Sequence, residues 1–160
     1  MQIVKTSKLL EMVTIPGLGE ITDGIKMKDG IERCFVNKNG KYKVNEVSMD
    51  YSMVVQYETK DYTVILGNSN DYENIYLAAI QVNNQGKGIG TDVINKILDY
   101  CDENSYKLYL HPFPLKYTKE NFNFKKALPL FYKLKDWYKS FGFVEQKNGY
   151  MIYHPLKLKK

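Results

Sequence analysis

Residues 75–101 of the chain read IYLAAIQVNNQGKGIGTDVINKILDYC. Residues 75–82 are apolar apart from Gln81 and precede two turn-forming asparagines, so they predict a short buried strand. Glycine at every second position from 86 to 90 predicts a tight loop. The apolar residues that follow share one helical face and predict an amphipathic helix. These residues are Ile89, Val93, Ile94, Ile97, Leu98 and Cys101.

This strand, loop and helix together predict a binding site for an anion. Thr91 and Asp92 lie in the first helical turn, where acceptor side chains and negative charge suit unpaired N–H groups. A glycine-rich turn before the helix presents bare backbone donors at the positive end of the helix dipole. The anion that such an arrangement most often binds is phosphate.

The length and composition predict one soluble domain. The chain has 160 residues, of which 44% are hydrophobic and 26% are charged, and this is enough for a sizeable core. Cys34 and Cys101 form no disulfide framework, so we expect a reduced, cytoplasmic protein. His111 and His154 lie far apart without cysteine partners, so we expect no metal site. No segment approaches the roughly 18 apolar residues of a membrane span, and residues 1–12 do not resemble a secretory signal.

The positive charge is concentrated in the last part of the chain. Residues 101–160 contain 12 lysines and 5 acidic residues, a net charge of +7, whereas the first hundred residues carry −2. A basic surface of this kind is suited to nucleic acid or to an acidic partner. The alternative is a solvated surface with a few lysines near a bound phosphate, and the sequence leaves both open.

The remaining segments predict a mixed sheet. Runs rich in β-branched and aromatic residues predict strands at 31–37, 51–57, 62–66, 107–111, 143–145 and 150–154. Short gaps between the first three and the strand at 75–82 predict an antiparallel meander. Apolar residues three and four apart predict a second helix at 128–141, ended by Gly142. This order predicts a single α/β domain over residues 1–160, with a twisted, mostly antiparallel mixed sheet flanked by helices.

Two common phosphate-binding motifs do not fit the glycine loop. A Walker loop requires G-x-x-x-x-G-K-[ST], whereas Gly90 is followed directly by Thr91. The dinucleotide fingerprint G-x-G-x-x-G places its third glycine three positions after the second. Here Gly90 comes only two positions after Gly88, so this fingerprint is excluded as well.

A third pattern, Q/R-x-x-G-x-G/A, fits Gln85, Gly88 and Gly90 between a predicted strand and a predicted helix. Residues 138–143 read YKSFGF and fit a second pattern, Y-x-x-x-G-F, at the end of the later helix. With both patterns in this order and a predicted strand between them, the chain resembles the GNAT superfamily of N-acetyltransferases. The resemblance covers about residues 74–145, and residues 1–70 carry no motif that aligns with it.

The resemblance implies that acetyl-CoA, or another acyl-CoA, is the acyl donor. The family binds the CoA pyrophosphate with the backbone N–H groups of its glycine loop and the pantetheine arm with the preceding strand. Carried over by position, the cofactor-binding residues are Ile80, Val82, Gln85, Gly86, Lys87, Gly88, Ile89, Gly90 and Thr91. Glycine suits the loop because a Cβ would hold the backbone away from the phosphates or forbid the required φ.

The resemblance also implies catalytic residues. Tyr138 matches the family's general acid, which protonates the departing thiolate, although a tyrosine on an apolar helical stripe is also an ordinary packing residue. Some members carry a glutamate base on the strand before the loop, at the position that Asn74 occupies here, with Glu73 beside it. Tyr76, His111 and a chain of water molecules are the other candidates for the base, and the sequence does not choose among them.

The resemblance predicts an enzyme that transfers an acetyl group from acetyl-CoA to a primary amine by direct attack in a ternary complex. Many members carry Asn seven residues before the tyrosine, where this chain has Phe131, so that contact with CoA is missing. The alternatives are a catalytically degenerate CoA-binding module and a nucleic-acid-associated module of the same fold. No motif identifies the amine acceptor, a small molecule or a protein, and both a monomer and a homodimer are compatible with the sequence.

Overall fold

The computed structural model describes residues 9–22, 31–48, 53–68, 73–83, 86–114 and 120–156. Within these residues the strands are β1 (Ile21–Thr22), β2 (Ile31–Lys38), β3 (Lys41–Ser48), β4 (Met53–Glu58), β5 (Tyr62–Asn68), β6 (Asn74–Val82), β7 (Lys107–Leu110), β8 (Val144–Glu145) and β9 (Met151–Tyr153). The helices are α1 (9–13), α2 (Ile89–Asn104) and α3 (Phe124–Lys139). The predicted class, α/β with a mostly antiparallel sheet flanked by helices, is confirmed.

Seven of the described strands form one sheet in the order β1-β4-β5-β6-β7-β9-β8. Strands β4, β5 and β6 make the antiparallel meander that the short gaps predict. Strand β6 pairs in parallel with β7, and the glycine loop and α2 connect the two. Parallel neighbours need a crossover of this kind, and β6, from which the crossover starts, is the middle strand of the seven.

Strands β2 and β3 form a separate two-stranded sheet, so the prediction that residues 31–37 join the meander is wrong. They pair antiparallel along their full length around Asn39 and Gly40. The φ angles of these two residues, 55° and 85°, fit a two-residue hairpin turn with positive φ at both positions. The sequence pattern does not predict β3 because its residues are mostly polar and exposed, which leaves no apolar run.

The main hydrophobic core joins the central strands to α1 and α2. Helix α2 contributes the face that its sequence spacing predicts: Val93, Ile94, Ile97, Leu98 and Cys101. The sheet contributes Ile75 and Leu77 from β6 and Leu108 and Leu110 from β7. Burying one such side chain stabilises the fold by about 1.5–3 kcal/mol, so these contacts hold α2, and with it the glycine loop, against β6 and β7.

Helix α3 begins at Phe124, so the prediction that it starts at 128 is wrong. Asn123 caps it, because its side-chain oxygen accepts a hydrogen bond from the backbone N–H of Lys126 at 3.1 Å. The sequence places the start too late because a proline usually lies near a helix start. Pro129 instead lies inside this helix. The chain leaves α3 through Gly142, whose φ of 103° is the positive φ expected of a glycine that ends a helix.

Helix α3 also joins the main core to a second, aromatic cluster. Its Tyr138 belongs to the main core, whereas its Ala127 and Phe131 pack with Phe35 of β2. The Phe131 ring centroid lies 4.4 Å from that of Phe35 and 5.0 Å from that of Tyr42 on β3. These aromatic contacts hold the β2–β3 hairpin against α3.

Replacing Phe131 by alanine is expected to lower the free energy of unfolding by about 3–5 kcal/mol, because the side chain is fully buried. Urea unfolding followed by circular dichroism measures the change. Leu156→Ala is the control, because Leu156 is 65% exposed and its loss should cost no more than about 0.5 kcal/mol. Equal losses in the two variants would contradict a stabilising role for the aromatic cluster.

The described residues contain no helix that is both long and apolar enough to cross a lipid bilayer. They also contain no group of three or more His, Cys, Asp or Glu side chains placed to hold a metal ion. Cys34 and Cys101 are free thiols, and burial raises the pKa of Cys101 to about 12. Cys101 is therefore a protonated packing residue of α2 at neutral pH.

Candidate functional site

The candidate site is the gap that opens where β6 and β7 stop pairing. Their parallel ladder begins with Asn74 beside Lys107 and ends with Leu77 beside Leu110. Strand β6 continues for five more residues and pairs with β5 on its other side. Its edge toward β7 is therefore unpaired along the last half of the strand, as far as the described residues extend.

Two prolines explain why the ladder ends. Pro112 and Pro114 follow β7 and carry no N–H, so they cannot donate hydrogen bonds to β6. The N–H of Phe113, between them, donates instead to the carbonyl of His111 at 2.9 Å. Residues 111–114, the described chain after Leu110, consequently leave the sheet and do not pair with β6.

A cavity of about 920 Å³ fills the gap, which is within the usual range for a small-molecule site. One wall is the open edge of β6 from Ala78 to Val82, and another is the segment 111–114. Helix α3 contributes Leu130, Lys133, Leu134, Trp137 and Tyr138. The glycine loop and the first turn of α2 form a further part of the cavity wall.

A β-bulge at Ala78 lies where β6 leaves β7. Leu77 pairs with Leu66 and Ala79 pairs with Ile65, so Ala78 is the extra residue. An extra residue shifts the alternation of side chains by one. Ile80 consequently shares the face of Leu77 and packs against the main core. The bulge thus changes which side chains of β6 point toward the core at the point where the cavity begins.

The glycine loop ends in an exposed helix start. Gly88 is the N-cap of α2 with a φ of 76°, and the N–H of Asp92 donates to its carbonyl at 3.0 Å. Among the described residues no side chain caps this end. Asp92 pairs instead with Lys96 at 3.0 Å. Its carboxylate therefore does not accept hydrogen bonds from the first-turn N–H groups, as its position in the sequence predicts that it would. The first-turn N–H groups therefore remain available to an anion.

Two of the three loop glycines border open space. A Cβ built on Gly86 or Gly88 would meet no described atom within 4 Å, and both residues have positive φ. Gly90 is different, because a Cβ there would lie 3.5 Å from the Trp137 ring and 3.5 Å from the Val82 side chain. Gly86 and Gly88 leave room for a ligand, whereas a Cβ at Gly90 would be in ordinary van der Waals contact with α3 and β6.

Tyr138 lies in the cavity wall that α3 provides. Its side chain is 5% exposed, and its ring centroid lies 5.0 Å from that of Trp137 and 5.5 Å from that of Phe143. Burial raises the pKa of the Tyr138 phenol above its ordinary value. The phenol is therefore protonated at neutral pH and able to donate its proton.

The structure brings most of the predicted cofactor-binding residues to the cavity. Ile80, Val82, Gly86, Gly88, Ile89, Gly90 and Thr91 all line it. Lys87 is exposed on the loop between two of these residues. Gln85 lies outside the residues that the structure describes.

The predicted candidates for the base on β6 lie toward its other end. Asn74 begins the strand, and the carbonyl of Glu73 accepts a hydrogen bond from the N–H of Lys107 at 2.9 Å. The described cavity wall begins at Leu77. Three to four strand residues, about 10–13 Å, therefore separate the backbones of Asn74 and Glu73 from the cavity. Their role in the chemistry stays a prediction.

Lys133 is a cavity residue that is not among the cofactor-binding residues carried over by position. It stands three residues after Leu130 and four before Trp137, a spacing that puts all three on one helical face. This helical spacing is the sequence signal that could have identified Lys133 as a cavity residue. Lys135, on the same helix, is buried and donates to the Tyr42 hydroxyl at 2.8 Å, so it is not part of an exposed basic surface.

A scan of the chain against protein-family models finds no match, and a search of curated proteins also finds no match. The family resemblance therefore depends on the two sequence patterns and on the cavity that they share.

Proposed function

We propose that this protein is a GNAT-like N-acyltransferase that moves an acetyl group from acetyl-CoA to a primary amine. The observation that carries the proposal is the convergence of three features on one cavity. These are the open edge of β6, the uncapped start of α2 and the buried phenol of Tyr138. Together they offer hydrogen bonds to an extended chain, a seat for phosphate and a proton donor.

The phosphate groups of the donor suit the loop end of the cavity. Gly86 and Gly88 border open space, and the N–H groups of the first turn of α2 have no intrahelical partner. Lys133 in the wall and Lys87 on the loop add positive charge nearby. A side chain at either glycine would occupy part of the space that an anion needs.

The open edge of β6 suits the pantetheine arm of the donor. Residues 78–82 form a cavity wall beyond the end of the β6–β7 ladder. The arm contains amide groups, and an extended ligand with amides can pair with an open strand edge as a further strand does. The main chain would supply the affinity there, so the apolar side chains Ile80 and Val82 need no special chemistry.

The residues of the cavity favour direct attack on the thioester. Among the described residues that line it there is no cysteine or serine to form a covalent intermediate. The thioester supplies an activated acyl group, and Tyr138 donates its proton to the departing thiolate. An N–H group of the open β6 edge can stabilise negative charge on the thioester oxygen. Most of the rate gain comes from holding both reactants in one orientation.

Millimolar CoA or acetyl-CoA is expected to raise the melting temperature of the protein. A ligand at about 100 times its Kd adds about 2.7 kcal/mol of stability, which corresponds to roughly 5–10 °C in a chain of this size. Scanning fluorimetry measures the shift, and pantetheine, which lacks the phosphates, is the control and should shift the melting temperature less. If CoA does not change the melting temperature, the proposal is contradicted.

A second candidate function is a CoA-binding module without turnover. The placement of Asn74 and Glu73 away from the described cavity wall favours it. Release of free thiol from acetyl-CoA separates the two functions when propylamine, benzylamine, a lysine-containing peptide and a peptide with a free amino terminus are offered in turn. Binding of CoA without transfer to any of these amines would favour the module.

A further inference from the structure

His111 lies at the point where β6 and β7 separate. It directly follows Leu110, the last paired residue of β7, and it belongs to the cavity wall. Its imidazole Nδ1 lies 2.9 Å from Oε1 of Glu32, which comes from strand β2 of the hairpin. The imidazole therefore faces the hairpin, whereas Tyr138 packs in the main core.

Tyr150 holds the His111 imidazole on a second side. The two ring centroids are 4.0 Å apart and the ring planes are tilted by 30°. Tyr150 also contacts the Tyr109 ring edge-on, and Tyr109 lies against Tyr76. The hydrogen bond and the ring contact together hold the imidazole in one orientation. The His111 side chain is only 2% exposed.

The other imidazole nitrogen, Nε2, is buried and has no hydrogen-bond partner among the described residues. An unpaired buried polar atom destabilises a folded protein, so its presence calls for an explanation. With Nδ1 donating its proton to the Glu32 carboxylate, Nε2 of the neutral ring carries the lone pair. His111, a residue of the cavity wall, thus carries a buried proton acceptor that has no donor among the described residues.

We propose that His111 is the general base that takes a proton from the amine acceptor, and that Glu32 is the residue that positions it. This inference rests on the proposed acetyl transfer and adds the base to it. A primary amine is an ammonium ion at neutral pH and must lose a proton before it can attack. Nε2 accepts that proton from the ammonium group directly or through one water molecule.

The proton balance of the transfer is complete with these two residues. The ammonium group gives one proton to Nε2, and the free amine forms a bond to the thioester carbon. The carbon–sulfur bond breaks with its electron pair on sulfur, and Tyr138 protonates the thiolate. The new amide nitrogen loses its second proton, which restores Tyr138, and the proton on Nε2 leaves to solvent. The net reaction of ammonium and thioester gives amide, thiol and one proton.

Among the described residues, the charged group that contacts the imidazole is the Glu32 carboxylate. Burial is the main cause that raises the pKa of Cys34 on β2 to about 11 and that of Tyr150 to about 12, and the charge of Glu32 adds to both. Both groups are therefore uncharged at neutral pH. Tyr109 and Tyr76 continue the ring contacts beyond Tyr150, and the guanidinium of Arg33 on β2 lies over the Phe113 ring.

The first test uses the protein without any acceptor. The chain has two histidines, and His154 is exposed, so His154→Gln assigns the imidazole NMR signals of His111. At mildly alkaline pH the nitrogen chemical shifts are expected to show a proton on Nδ1 and none on Nε2. A proton on Nε2 would overturn the proposal, since that nitrogen could not accept another.

The second test is kinetic and uses acetyl-CoA with the amine of the panel that reacts fastest. His111→Gln is expected to lower kcat by about 100-fold or more. The CoA-induced rise in melting temperature should remain, because the glycine loop is unchanged. His154→Gln is the matched control and should leave both quantities unchanged. Transfer at the rate of the unaltered protein in His111→Gln would overturn the proposal.

Glu32→Gln separates positioning from a purely structural role. The amide keeps an oxygen that can accept from Nδ1–H, but without the charge that stabilises the imidazolium. The acidic limb of the pH profile of kcat/KM is therefore expected to move to lower pH, and an unmoved limb would contradict the role of Glu32. Failure of CoA to bind the unaltered protein would refute the acyltransferase, whereas binding and transfer with no effect of His111→Gln would refute only the base.

Discussion

Tyr138→Phe is expected to lower kcat by about 10²–10⁴-fold while CoA still raises the melting temperature by the same amount. Phenylalanine retains the ring that packs against Trp137 and Phe143, so the change removes only the hydroxyl. Burial raises the pKa of the phenol, so the phenol is protonated at neutral pH and has a proton to give. Steady-state release of thiol from acetyl-CoA measures kcat, and fluorimetry measures binding.

The matched control for this variant is Tyr132→Phe. Tyr132 lies on the same helix but is 41% exposed, and it is not among the residues of the cavity wall. Its hydroxyl has no part in the proposed chemistry, so the variant should transfer acetyl groups at the rate of the unaltered protein. Full activity of Tyr138→Phe would remove Tyr138 from the mechanism and leave it as a packing residue of the main core.

Gly88→Ala is expected to weaken CoA binding at least tenfold, which corresponds to about 1.4 kcal/mol. Its positive φ of 76° makes alanine unfavourable there by about 1–2 kcal/mol. The added methyl group also enters the open space that the loop leaves for a phosphate. The loss of affinity is measured by isothermal titration with CoA, and the loss of stability by urea unfolding.

Gly40→Ala separates these two effects. Gly40 has a φ of 85°, and a Cβ there would also meet no described atom within 4 Å, but it lies in the hairpin turn between β2 and β3. Both alanine variants should lose about 1–2 kcal/mol of stability. Only Gly88→Ala should lose CoA affinity, and an equal loss of affinity in both would show that the glycine loop is not the phosphate seat.

The features that the sequence predicts well are those with a local signal. The strand at 75–82, the glycine loop and the helix from Ile89 are marked by a continuous apolar run, by alternate glycines and by helical spacing. Each signal involves residues that are neighbours along the chain. The structure contains the strand and the helix within one to three residues of these bounds.

The features that the sequence does not predict depend on contacts between distant residues. Glu32 and His111 are 79 residues apart, and nothing along the chain indicates that β2 folds over the end of β7. Phe131 is similar, since its position suggests a missing contact with CoA, whereas the structure uses it to hold the hairpin against α3. Strand β3 is not predicted because most of its residues are polar and exposed, which leaves no apolar run.

The sequence by itself therefore determines the strand, the glycine loop and the helix start, because backbone geometry and burial follow from the local order of residue types. The tertiary structure decides that β6 and β7 separate beside this loop, that Tyr138 lines the cavity and that His111 meets Glu32. Those relations follow from the pairing register and the packing of side chains across the sheet. Local residue patterns do not encode them, because they arise only when distant segments are buried together.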